Sequence, residues 1–287
     1  MSARRRFLQS AAGLALASGL PLRALGAARF AADPFRLGVA SGYPGPGGAV
    51  LWTRLLGELD PAPIRVRWEV AEDDAMSRIV ASGVEIAAPE WAHSVHVEVR
   101  GLAPARPYWY RFIAGDAVSP IGRTRTAPSP GAQVGRLRFA FASCQQYEQG
   151  YYGAWRHAAA DDPELIVFLG DYIYESSWGR EHVRAQDPGE PYTLDEYRMR
   201  YACYKSDPDL QAAHAACPWL ATWDDHEVDN DYAADRPEDG MPRGRFLARR
   251  AAAYRAYYEH MPLPARMRPR GPHMRIYTQL GWGSLAR

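Results

Sequence analysis

Ten consecutive residues, Thr222-Trp223-Asp224-Asp225-His226-Glu227-Val228-Asp229-Asn230-Asp231, bring together five carboxylates, one imidazole and one carboxamide. The apolar run Pro218-Trp219-Leu220-Ala221 precedes them. Carboxylates this close raise one another's pKa unless a cation sits among them. Oxygen ligands suit hard ions, and an imidazole can ligate or move a proton. Taken alone, the stretch reads equally well as a solvated acidic turn after a buried strand.

Two earlier stretches have the same form. Ser143-Cys144-Gln145 follows the apolar Phe139-Ala140-Phe141-Ala142, and Gly170-Asp171-Tyr172-Ile173-Tyr174-Glu175 follows Leu165-Ile166-Val167-Phe168-Leu169. Cys144 as a thiolate is a soft ligand and Tyr174 as a phenolate a hard anionic one, a pairing that favours a strongly Lewis-acidic metal such as iron. Asp225, Asp229 and Asn230 offer only oxygens, which suits calcium or magnesium. Asp171, ending the middle run, is placed to bridge two metals. Singly, Cys144 reads as a small core residue, Gly170-Asp171 as an ordinary strand terminus, and Tyr172 and Tyr174 as core or rim aromatics.

These residues need a scaffold that gathers strand ends. Strand 137–143, a helix over 150–160 and strand 165–169 make a βαβ unit, which implies parallel strands. Helices are expected over 194–204, 209–216 and 246–259, the last with Tyr254, Tyr257 and Tyr258 grouped on its surface. In open α/β sheets, ligands collect beyond the carboxyl ends of the strands. Parallel pairing would therefore bring Cys144, Asp171 and Asp225 together.

The front of the chain follows another grammar. Residues 64–70 and 95–100 alternate apolar and polar with period two, and 107–112 is an aromatic strand. Strands at this spacing predict an all-β immunoglobulin or fibronectin-like sandwich over 33–127. Residues 41–48, rich in Gly and Pro, predict a loop, and His93 and His96 the polar face of a strand. Residues 127–132 read as a linker, with an α/β domain over 136–287.

Bulk properties narrow the function. A net charge of +1 excludes a polyanion-binding surface spread over the molecule, so no nucleic-acid partner is expected. Cys144, Cys203 and Cys217 cannot all pair within one chain. Residues 1–28 resemble a twin-arginine signal peptide. Ala3-Arg4-Arg5-Arg6-Phe7-Leu8-Gln9 is followed by an apolar stretch too short to span a bilayer, then by small residues. The expected partner is the twin-arginine export machinery, and the expected location periplasmic or secreted.

The three strand-end motifs, with Val50-Leu51-Trp52-Thr53-Arg54 and Tyr108-Trp109-Tyr110-Arg111-Phe112 in front, resemble PhoD-type alkaline phosphatases of the calcineurin-like metallophosphatase superfamily. The resemblance implies an exported hydrolase of phosphate monoesters and diesters using ferric iron and calcium. It implies Cys144, Asp171 and Tyr174 as iron ligands, and Asp171 and Asn230 as calcium ligands. Asp225 and His226 resemble the Asn-His pair of related phosphatases, a metal ligand followed by a proton donor or phosphate contact. It also implies a further half of the catalytic domain beyond Trp282-Gly283-Ser284-Leu285-Ala286-Arg287, with His and Asp residues that close the site. The metallophosphatase domain is accordingly expected to be incomplete. The alternative is an inactive, truncated chain that only binds a metal or ligand.

Overall fold

The computed structural model describes residues 29–186 and 189–285. The expected export signal, residues 1–28, lies outside the described residues. The front of the chain forms β1 (Val39–Gly45), β2 (Gly48–Arg54), β3 (Ile64–Ala71), β4 (Ile79–Ala87), β5 (Ser94–Glu98), β6 (Pro107–Ala114), β7 (Ala117–Val118) and β8 (Gly122–Arg125). The back alternates: β9 (Phe139–Ala142), α1 (Gly153–Ala160), β10 (Leu165–Phe168), α2 (Leu194–Lys205), α3 (Pro208–Ala216), β11 (Pro218–Ala221) and α4 (Arg243–His260). Among the described residues, no helix is long and apolar enough to cross a membrane. None of the three cysteines forms a disulfide.

The two sets of strands share a sheet. One sheet runs β5-β2-β1-β11-β10-β9 and so crosses the segment between the two expected domains. The other runs β4-β3-β6-β7, with β8 also on β6. The join is parallel pairing of β1 with β11, Ser41 opposite Pro218 and Gly42 opposite Trp219. Residues 41–45, expected in a loop, therefore lie in a strand paired on both edges. Only Pro46 and Gly47 form the reversal between β1 and β2. Ala127, at the head of the expected linker, donates its N–H to Gly45 O at 3.0 Å, which ties that segment to β1.

Period-two alternation decides the front core. Val66 and Val70 of β3, Val95 and Val97 of β5, and Tyr108, Tyr110 and Phe112 of β6 point into one apolar cluster with Val39 and Leu51. The other face of β2 and β5 is closed as well, by α4 rather than by water. Trp52 is fully buried and donates Nε1–H to Glu259 O at 3.1 Å. His96 stacks on Tyr258 with ring centroids 4.4 Å apart and contacts Leu263 O through Nδ1 at 3.0 Å. The polar face expected for His96 is thus a packed one. Tyr254, Tyr257 and Tyr258, expected on the surface of their helix, are buried, Tyr258 against His96 and Tyr254 and Tyr257 against Trp223.

Two of the helices, α2 and α3, start where side chains satisfy their free N–H groups. Thr193 and Glu196 form a reciprocal capping box on α2. Asp207 accepts from Asp209 N and Leu210 N ahead of Pro208 on α3. Strand 139–142, expected to be of buried type, is the sheet's edge strand. Ala140 and Ala142 pack on the helical side, whereas Phe139 and Phe141 are 52% and 69% exposed.

A fully buried ammonium lies where the front sheet meets the helices. Lys205, ending α2, places Nζ 4.3 Å from the Trp52 ring and 5.7 Å from the Tyr172 ring. Burial lowers its pKa from 10.5 to about 7. Below pH 7 both folded and unfolded chains hold the proton, and the folded chain bears the full desolvation penalty. Between pH 7 and 10.5 the unfolded chain binds more protons, so stability rises with pH. Lys205→Met is expected to stabilise the chain by about 2 kcal/mol at pH 6.5, because apolar replacement of a buried ion removes that cost. The gain should shrink as pH rises to about 10. Denaturant titrations of both proteins at the two pH values check this, and an advantage independent of pH would contradict it.

Candidate metal centre

Parallel pairing of β9, β10 and β11 sets three strand ends side by side, Ala142 opposite Phe168 and Phe168 opposite Ala221. Cys144 and Asp171 then leave their strands with left-handed backbones, φ 58° and 56°. Held in this sparsely populated region, both side chains turn into the same space. Gly170 makes the approach possible: a Cβ there would lie 2.6 Å from the Asp224 backbone nitrogen.

Asp171 is the centre of the arrangement. It is 6% exposed, and its Oδ2 accepts from Cys144 Sγ at 3.2 Å and Tyr174 Oη at 3.3 Å. Its Oδ1 is buried with no hydrogen-bond partner. Asp171, Asp225 and His226 each offer a ligand atom, all within 4.8 Å of one another. Burial and the neighbouring Asp171 raise the pKa of the Cys144 thiol and the Tyr174 phenol, so both are neutral in this arrangement. A multivalent cation reverses that logic by stabilising thiolate, phenolate and carboxylate together. The orphaned Oδ1 and this convergent donor set fit a metal ion.

His226 is held by a neighbour whose role was not read from the sequence. Its Nδ1 lies 2.8 Å from Glu175 Oε2, and Glu175 is 2% exposed. The other Glu175 oxygen accepts from Asn230 N at 3.2 Å and Ser176 Oγ at 3.2 Å. With Nδ1 engaged, the imidazole has Nε2 left for the site. Burial by itself would lower the His226 pKa. The Glu175 hydrogen bond and the charges of Glu175, Asp225 and Asp171 outweigh it and raise the value to about 9.

Glu227 is a second positioning group. Its Oε2 accepts from Asp224 N at 2.8 Å and Asp171 N at 3.2 Å, and its Oε1 from Tyr172 N at 2.5 Å. One buried carboxylate thereby ties the turn after β10 to the turn after β11. Its three-residue spacing from Asp224 is that of a side chain reaching back to a turn's first N–H, and this much was visible in the sequence.

The remaining candidates divide. Asp225 Oδ2 accepts from Asp231 N at 2.6 Å, which bends the acidic loop back on itself. Asp229 turns away to Arg249 Nη1 at 2.8 Å, while its Oδ2 has no partner. Asn230 reaches the centre through its backbone contact with Glu175, and its amide nitrogen donates to Glu238 Oε2 at 2.7 Å.

Residues 139–287 match the family described as PhoD-like phosphatase, and residues 20–128 match its N-terminal domain. The chain belongs to the PhoD-like phosphatases. Alkaline phosphatase D of Bacillus subtilis (strain 168) is 48% identical over 99% of this chain and 52% of its own length. A solved PhoD structure superposes with a TM-score of 0.89 at 50% identity, covering 90% of this chain and 52% of that one. The chain thus spans about half the length of both PhoD relatives.

Proposed function

We propose that this PhoD-like chain is a metal-dependent hydrolase of phosphate monoesters and diesters. The observation that supports it best is the buried Asp171 carboxylate, with one oxygen unpartnered and the other shared by Cys144 and Tyr174. Cys144, Asp171 and Tyr174 would hold ferric iron, with Asp225 beside them, and Asp171 and Asn230 would hold calcium. Bound there, the cations supply positive charge that neutralises the ester's oxygens and makes a water more acidic.

The chain's own residues do the rest. Glu175 fixes the imidazole so that His226 presents Nε2 to the leaving oxygen. Held through Nδ1 by Glu175, His226 would deliver a proton from Nε2 to the leaving alkoxide. Asp225 anchors the loop through Asp231 and faces the same space as Asp171. Nothing in this geometry favours the alternative of a chain that only binds a ligand.

We also read the front as an immunoglobulin or fibronectin-like sandwich over 33–127 ahead of the catalytic part at 136–287. Two sheets facing one apolar core support that reading. Residues 1–28 we read as a twin-arginine signal, with a periplasmic or secreted product.

Cys144→Ala is expected to remove bound iron and the visible thiolate charge-transfer absorption, since the soft anionic ligand is gone. Elemental analysis and the absorption spectrum of the purified variant check this. Undiminished iron would exclude Cys144 as a ligand. Turnover of bis-p-nitrophenyl phosphate by the purified chain, abolished by a strong chelator, tests the function as a whole.

A further inference from the structure

Two rings touch the His226 imidazole among the described residues, and they differ in kind. Tyr174 lies 4.2 Å away, tilted by 30°, and belongs to the metal centre. Trp178 stands at 87° to the imidazole with centroids 5.8 Å apart, and 44% of it is open to solvent. The other exposed aromatics, Phe139, Phe141, Tyr151, Tyr192 and Tyr277, make no ring contact with Tyr174 or His226.

The backbone that carries the indole is anchored. The carbonyl of Trp178 accepts from Gln149 Nε2 at 3.3 Å and contacts His182 Nε2 at 2.6 Å. Gly179, with φ +86°, turns the chain immediately after it in a conformation other residues rarely adopt. An exposed apolar ring beside a proton donor is placed to cover a ligand.

Position says which part of the ligand. His226 Nδ1 is taken by Glu175, so the leaving oxygen approaches the imidazole at Nε2. The organic group begins one bond beyond that oxygen, itself about 3 Å from the nitrogen. Trp178, centred 5.8 Å from the imidazole, is the exposed ring beside it. Flat aromatic groups gain most from such a surface, through offset or edge-to-face contact.

We propose that Trp178 is a specificity-determining residue, a platform for the organic group on the leaving oxygen, which makes the centre prefer aromatic over short alkyl phosphoesters. The assignment rests on the phosphoester-hydrolase reading above. Trp178 is not placed among the metal-holding residues, and its exposure means that truncating it leaves the core intact.

The test uses the full 287-residue chain loaded with ferric iron and calcium, titrated by calorimetry with phenylphosphonate and with methylphosphonate. The wild type is expected to bind phenylphosphonate about tenfold more tightly. Trp178→Ala should bring the two affinities within about twofold by weakening phenylphosphonate alone, and Trp178→Phe should keep the preference within about threefold of wild type. In turnover, the ratio of kcat/KM for phenyl phosphate to that for methyl phosphate should fall by the same factor in Trp178→Ala, through KM. Equal wild-type affinities, or equal weakening of both phosphonates by Trp178→Ala, would overturn the platform and leave the hydrolase reading standing. Failure of the wild type to bind either phosphonate would overturn both.

Discussion

Asp171→Asn is expected to empty the centre of metal and to lower phosphoester turnover about a thousandfold, on the order of 4 kcal/mol in barrier. Asn matches Asp in shape and tolerates the left-handed backbone that position 171 requires, so the turn survives. What disappears is the one buried negative charge on which Cys144 and Tyr174 converge. A carboxamide offers a neutral oxygen and an N–H2 that would meet the thiol and phenol as a competing donor. Metal content, turnover and melting temperature of the same preparation separate the outcomes. Loss of metal and activity at near-unchanged melting temperature is the expected pattern. Retention of stoichiometric metal with turnover within about tenfold of wild type would remove Asp171 from the centre.

Glu227→Ala should cost stability as well as activity, about 3–5 kcal/mol in the metal-free chain. The side chain is 1% exposed, and burial pushes its pKa up to about 8 in spite of three N–H donors. Removing it leaves the buried N–H groups of Asp171 and Tyr172, and the half-buried one of Asp224, without their acceptor, which costs more than the hydrogen bonds contributed. The two turns that carry Asp171 and Asp225 would then no longer be tied together. Glu227→Gln keeps one acceptor oxygen and should lose less, so the pair of variants grades the effect. Denaturant unfolding of the three proteins reads it directly. A loss below about 1 kcal/mol for Glu227→Ala would show that the turns hold by themselves.

The site was legible to the extent that its residues sit at strand ends in sequence order. Phe168 and Ala221 are locally encoded strand termini, and parallel pairing alone brings Asp171 and Asp225 together. Glu175 and Glu227 were quoted with their motifs but without a role, because their partners lie far along the chain. Glu175 meets His226 across 51 residues, and Glu227 meets Tyr172 across 55. Nothing in local spacing encodes such contacts.

The fold was legible in its elements and less so in their surroundings. The period-two alternation of β3 identified its inward residues, yet it could not say what covers the opposite face of β5. His96 therefore read as solvated, although Tyr258 of α4 lies on it. The Gly and Pro residues at 42–48 signalled a turn but not its extent, because pairing of β1 on both edges overrides local preference. Phe139 and Phe141 show the converse: apolar side chains predicted burial, and among the described residues only the opposite face of β9, with Ala140 and Ala142, is packed.

The pairing of Ser41 with Pro218 also constrains the order of assembly. As the chain leaves the ribosome, β1 can form a hairpin with β2 at once, but its second edge has no neighbour until β11 emerges. Contacts of such long sequence separation are slow to form, and an open strand edge is exposed to wrong partners meanwhile. The strand that finally closes β1 is the same one that ends in Asp224, Asp225 and His226. Sealing the front sheet and delivering the acidic loop are therefore one event in the life of the nascent chain.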